Sequence, residues 1–127
     1  MCKQAIKTPT APEAVGPYSQ AIKAGGFLFL SGQIGIDPST RQLVSGGVEA
    51  QAHQVFKNIL AVLTAAAAGP GNVVKATVFL KDMAYFKTIN AIYSRYFPEP
   101  FPARSAVAVK ELPLAADIEI EVIAVLE

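Results

Sequence analysis

The chain has 127 residues, enough for one domain, 1–127, built around one hydrophobic core. Apolar residues make up 52% and charged ones 17%, against roughly a quarter charged in an average soluble domain, so part of the surface is expected to be covered by other subunits. The formal net charge is +1 and the basic residues are scattered, which argues against a phosphate-tracking surface and makes nucleic acid an unlooked-for partner.

The start, Met1-Cys2-Lys3-Gln4-Ala5-Ile6-Lys7-Thr8-Pro9, has no apolar core of signal-peptide length, and no apolar run approaches the roughly 18 residues of a spanning helix. A cytoplasmic protein without membrane contact is expected. Cys2 is the one cysteine and allows no internal disulfide. Pro9, Pro12 and Pro17 mark an extended arm leading to a strand at about Tyr18 to Lys23, and Ala24-Gly25-Gly26 reverses the chain into a second strand, Phe27 to Gln33. Gly32 in that strand reads either as an ordinary bulge or as a place where something approaches the backbone closely. Asp37-Pro38-Ser39-Thr40 and Ser45-Gly46-Gly47 are turn chemistry around a short strand with Leu43 and Val44.

Apolar residues at 48, 52, 55, 59, 62 and 66, widened by Phe56 and Leu63, predict an amphipathic helix over 48–68, stopped by Gly69 in a left-handed cap and by Pro70. His53, the one histidine, falls at the edge of the polar face and reads as a solvated helix residue; with no second histidine, no metal centre is expected. Asn72 to Leu80 is too apolar to face water on both sides and predicts a central strand. Asp82 is placed to cap a second helix running to about Phe97, with Phe86, Ile89, Tyr93 and Tyr96 at helical spacing. Pro98, Pro100 and Pro102 end it, and Ala103 to Val109 and Ile118 to Val125 are the last strands, joined by a Leu112-Pro113 turn. The expected fold is α+β: a mixed or largely antiparallel sheet with two helices on one face. The other face is expected to be partly covered too, since Val78, Val107, Ile120 and Val122 should not all reach the same helices.

Arg104 stands between a proline-bounded turn and an alternating apolar strand. Its guanidinium keeps its charge and demands several acceptors, so it reads as a salt-bridged edge residue or as a clamp for a small carboxylic acid. Glu119 and Glu121 lie two apart and share one strand face, a solvated pair or the lining of a cleft. With Arg104 and Glu119 expected on adjacent strands, one could anchor a carboxylate while the other handles a proton or holds a water. Ser31 and Ser105 lack a Gly-x-Ser-x-Gly elbow, which removes a serine hydrolase, and no glycine-rich phosphate loop is present.

Gly16-Pro17-Tyr18-Ser19-Gln20-Ala21, Phe29-Leu30-Ser31-Gly32-Gln33-Ile34-Gly35, Asn72 to Asp82, Phe86, Asn90 and Tyr93, the Arg104 segment Phe101 to Val109 and Ile118 to Val125 together resemble the YjgF/RidA family of imine deaminases, in order and in spacing, over nearly the whole chain. The resemblance implies a chorismate-mutase-like fold, a homotrimer with ligand clefts between subunits, and cofactor-independent hydrolysis of 2-imino or enamine acids, 2-iminobutanoate and 2-iminopropanoate among them, to 2-keto acids and ammonia. It makes Arg104 the carboxylate clamp and Glu119 the residue that positions or activates water. Tyr18, Ser31, Gly32 and Asn90 become cleft and support positions. Many relatives carry cysteine two residues after the arginine, where this chain has Ala106; a backbone amide can serve there, whereas thiol-dependent behaviour does not carry over. A non-catalytic module that captures a small carboxylate is the alternative.

Overall fold

Alternating β-branched residues and two apolar helical stripes produce the expected elements. The computed structural model describes residues 2–127. In chain order they form strands β1 (Gln4–Ile6), β2 (Ala21–Ala24), β3 (Phe27–Leu30), β4 (Ile36–Asp37) and β5 (Gln42–Leu43), helix α1 (Gly47–Ala65), strand β6 (Val73–Leu80), helix α2 (Phe86–Tyr96), and strands β7 (Ala103–Ala108) and β8 (Ile118–Val125). Six strands make one sheet in the order β1-β2-β3-β8-β6-β7, with β6 and β7 parallel and the other neighbours antiparallel; β4 and β5 form a separate ribbon. The architecture is α+β with a mixed sheet, as expected.

The core fills the space between the sheet and α1 and α2. Helix α1 buries Ala52, Val55, Phe56, Ile59, Val62 and Leu63, and the sheet answers with Leu28, Ala76, Val78, Leu80, Ile118, Ile120, Val122 and Ala124. Each large side chain removed from water contributes about 1.5–3 kcal/mol before entropy is counted. Phe56 stacks on Tyr96 at 4.6 Å between centroids and meets Tyr93 and Phe97 edge-on, locking α2 to α1. His53 joins the same junction, its Nδ1 2.8 Å from the Tyr96 hydroxyl. It is therefore a helix–helix contact, where a purely solvated role was expected.

Four expectations change. Tyr18 lies ahead of β2, in a bend where its N–H donates to the Gly16 carbonyl at 2.9 Å; regular pairing begins only at Ala21. Helix α1 ends three residues early, at Ala65, and closes over Ala67 at φ +57°, with the Ala68 and Ala67 amides donating to the Leu63 and Thr64 carbonyls. This is the cap geometry assigned to Gly69, which is extended at φ −141°. Val78, Ile120 and Val122 do all face the helices; of the four named, Val107 alone is on the other face, 45% exposed. That outer face still displays an apolar surplus, because Phe27, Phe29 and Val74 are there as well. Finally, β7 and β8 are not neighbours. The unit β6–α2–β7 sets β7 parallel on one edge of β6 and leaves β8 the other edge.

Candidate functional site

Strand register decides where the two leading candidates point. Arg104 lies opposite Ala76 of β6, a buried helix-side position, so its side chain runs toward α2. There Nη1 donates to Asn90 Oδ1 at 2.8 Å. The guanidinium carbon stands 4.8 Å from the Tyr93 ring centre and 5.3 Å from that of Phe86, a cation–π placement worth about 0.5–2 kcal/mol according to exposure. The only ion pair among the described residues is Arg41–Glu13 at 3.7 Å, so Arg104 is held by a neutral amide and two rings and is not a salt-bridged edge residue. A planar fork fixed on one flank and without a carboxylate partner among the described residues suits a bidentate acid. Ala106 follows on the same face, opposite Val78 and half-buried. Burial pushes the Tyr93 hydroxyl above the usual phenol range, a rise that the Arg104 charge partly offsets.

Glu119 lies opposite Phe79, an odd number of residues from Ala76 along β6, and therefore on the other face of the sheet. Paired amides join Gln33 and Ile120 at 2.9 and 3.1 Å, and this bridge brings Gly32 against Glu119. A Cβ on Gly32 would overlap the Glu119 carboxylate, with the Cδ at 2.9 Å. The glycine is a close-approach position, which decides between the two readings of it. Burial first, and the neighbouring Glu121 charge second, hold the Glu119 carboxyl above the usual carboxylate range. Ser31 borders the same spot, its hydroxyl donating to the Ser19 carbonyl at 2.6 Å and its N–H to Gln20 at 3.0 Å. Those bonds tie it to the segment of Tyr18, a residue that is 53% exposed.

The candidates thus fall into two groups: Arg104, Asn90 and Ala106 on the helix side near one edge, and Glu119, Gly32, Ser31 and the Tyr18 segment around the outer face. Strand β6 intervenes, and two strand spacings alone amount to about 9.6 Å. Within one chain Arg104 and Glu119 cannot hold the same small molecule, contrary to the adjacency expected from chain order. Sequence reasoning also passed over Phe86 and Tyr93 as the floor under Arg104. It missed the buried amides as well. Gln20 binds the Thr8 and Pro12 carbonyls, and Asn58 those of Ile34 and Ile36. The available signal was a Gln or Asn interrupting an apolar stretch.

A family model described as Endoribonuclease L-PSP matches residues 8–126. The chain is 53% identical over 124 residues to Reactive Intermediate Deaminase A, chloroplastic, of Arabidopsis thaliana, covering 98% of this chain and 66% of that protein. It is 49% identical to the 2-iminobutanoate/2-iminopropanoate deaminase of Homo sapiens, covering 98% and 91% of the two. Among solved structures, a protein of the conserved Rid family from Yersinia pestis superposes with a TM-score of 0.96 at 48% identity, over 98% of this chain and all of the other.

Proposed function

The chain belongs to the YjgF/RidA family, the one described as Endoribonuclease L-PSP, and from that premise we propose that it is a hydrolytic deaminase of reactive 2-imino and enamine acids, 2-iminobutanoate and 2-iminopropanoate among them. Arg104 carries the reading, as a guanidinium preset by Asn90, Phe86 and Tyr93 with its remaining donors unclaimed by any carboxylate of the described residues. It receives the substrate carboxylate in a two-pronged clamp. Glu119 orients a water and takes one of its protons as the oxygen bonds to the C=N carbon. That proton passes to the nitrogen and gives a carbinolamine; its hydroxyl then loses the second water proton as the nitrogen takes one up, the C–N bond breaks, ammonia leaves and the C=O of a 2-keto acid forms. Positioning supplies most of the rate, since the imine carbon already reacts with water, and the reaction calls for no cofactor or metal.

The opposite placement of Arg104 and Glu119 supports a cleft between subunits, where the arginine of one copy faces the glutamate of the next. The apolar outer face, with Phe27, Phe29, Val74 and Val107, supports the same arrangement. We assign the working form to a homotrimer of single-domain chains acting in the cytoplasm; no helix among the described residues is long and apolar enough to cross a membrane. Tyr18, Ser31, Gly32 and the Ala106 backbone line the cleft.

The test is a coupled assay in which a pyridoxal-phosphate-dependent dehydratase generates the imine. Faster imine loss with catalytic ammonia release is expected. Binding of 2-ketobutyrate without any acceleration would leave the carboxylate-capturing module instead. Retention of RNA that weakens with salt would bring back the nuclease activity named in the family description.

A further inference from the structure

Helix α1 touches both segments that form the Glu119 side of the site: Asn58 binds the Ile34 and Ile36 carbonyls, and Gln51 meets both segments at once. Gln51 is 6% exposed. Its Oε1 accepts from the Asp117 N–H at 2.8 Å and its Nε2 donates to Asp117 Oδ2 at 3.1 Å, a two-point bond across 66 residues of sequence. Gly35 lies against the same helical residue: a Cβ there would come within 2.8 Å of the Gln51 Cα and 2.9 Å of its carbonyl oxygen. Asp117 precedes Glu119 by two residues and Gly35 follows Gly32 by three. The Glu119 carboxylate itself makes no hydrogen bond to any described residue, so its place over Gly32 depends on where the two backbones are pinned. The Gln33–Ile120 bridge pins one side, and the contacts at Gln51 pin the other.

We propose that Gln51 is a positioning residue for Glu119, its amide fixing the start of β8 relative to the Gly32 loop and so the aim of the carboxylate. This rests on Glu119 being the group that directs water. A polar residue is required merely to satisfy a half-buried N–H and carboxylate; the positioning role goes further, because it makes turnover depend on Gln51 through Glu119 alone.

Gln51→Met keeps length and removes both bonds without adding charge. The expected result is kcat lower by about ten- to a hundredfold with KM little changed, and a Glu119 titration midpoint, read by carbon-13 NMR of its carboxyl, that falls toward the ordinary carboxylate range. In a Glu119→Gln background the same substitution should cost no further turnover, since it acts through the group already removed. Gln51→Glu combined with Asp117→Asn exchanges the polarity of the pair, preserves both bonds and the net charge, and should restore the wild-type kcat and midpoint. An unmoved Glu119 midpoint in folded Gln51→Met, additive losses with Glu119→Gln, or a folded double variant that stays slow would each overturn the proposal. Full turnover in Glu119→Gln alone would instead remove the assignment of Glu119, while the NMR midpoint would still decide whether Gln51 places its carboxylate.

Discussion

At Arg104 the bond to Asn90 and the two flanking rings order a long side chain, which in the proposed clamp would lower the entropic cost of binding. Lysine would keep the charge but present a point cation without the planar fork. Arg104→Ala should abolish imine hydrolysis in a folded protein, and Arg104→Lys should recover little of it; full activity of Arg104→Ala in the coupled assay would refute the clamp. Glu119 works in the opposite sense, since its carboxylate is destabilised by burial and by Glu121 and gains basicity from both. A base must be ionised to act, so the acidic limb of kcat/KM should lie above the ordinary carboxylate range. Glu121→Gln removes a negative neighbour and should move that limb to lower pH, while Glu119→Gln should lower kcat by about a hundredfold and keep ligand binding. The linkage has a definite sign: the folded chain holds this proton more tightly than the unfolded one. The group's stability contribution is therefore full below the ordinary carboxylate range and is lost as pH rises through the raised value.

Ala67 shows what an element's end can cost. A non-glycine residue in the left-handed region is disfavoured by about 1–2 kcal/mol, and here it closes α1 through the Leu63 and Thr64 carbonyls. Ala67→Gly should raise stability by about 0.5–1 kcal/mol after the added freedom of the unfolded glycine is subtracted, as a higher urea midpoint with unchanged slope. The helices and strands were legible in the sequence because their periods of 3.6 and 2 are local: the α1 stripe and the Ile118–Val125 alternation both appear where expected. Strand partners are not local. Nothing within Ala103–Ala108 or Ile118–Val125 says that β6 will stand between them, so the expected adjacency of Arg104 and Glu119 failed although both residues were singled out. Gln51 and Asn58 escaped notice because a buried amide is defined by its partners, Asp117 in one case and the 34–36 loop in the other, and those become visible only in the fold.

At the scale of the molecule, the outer sheet face and the separated site groups make the same demand for neighbours. Light scattering at micromolar protein should give the mass of a trimer, and a monomer with full activity would contradict the shared cleft. The placement of Arg104 and Glu119 on opposite faces also has a genetic consequence. If every working site takes its arginine from one chain and its glutamate from the next, Arg104→Ala and Glu119→Gln are defects in different halves of each boundary and can complement one another. In a closed ring of three, any mixed assembly of the two dead variants contains one boundary with both intact groups. Co-expressed in equal amounts and mixed at random, two inactive alleles should together yield about a quarter of the wild-type activity, whereas alleles damaged on the same side, such as Arg104→Ala with Asn90→Ala, should yield far less.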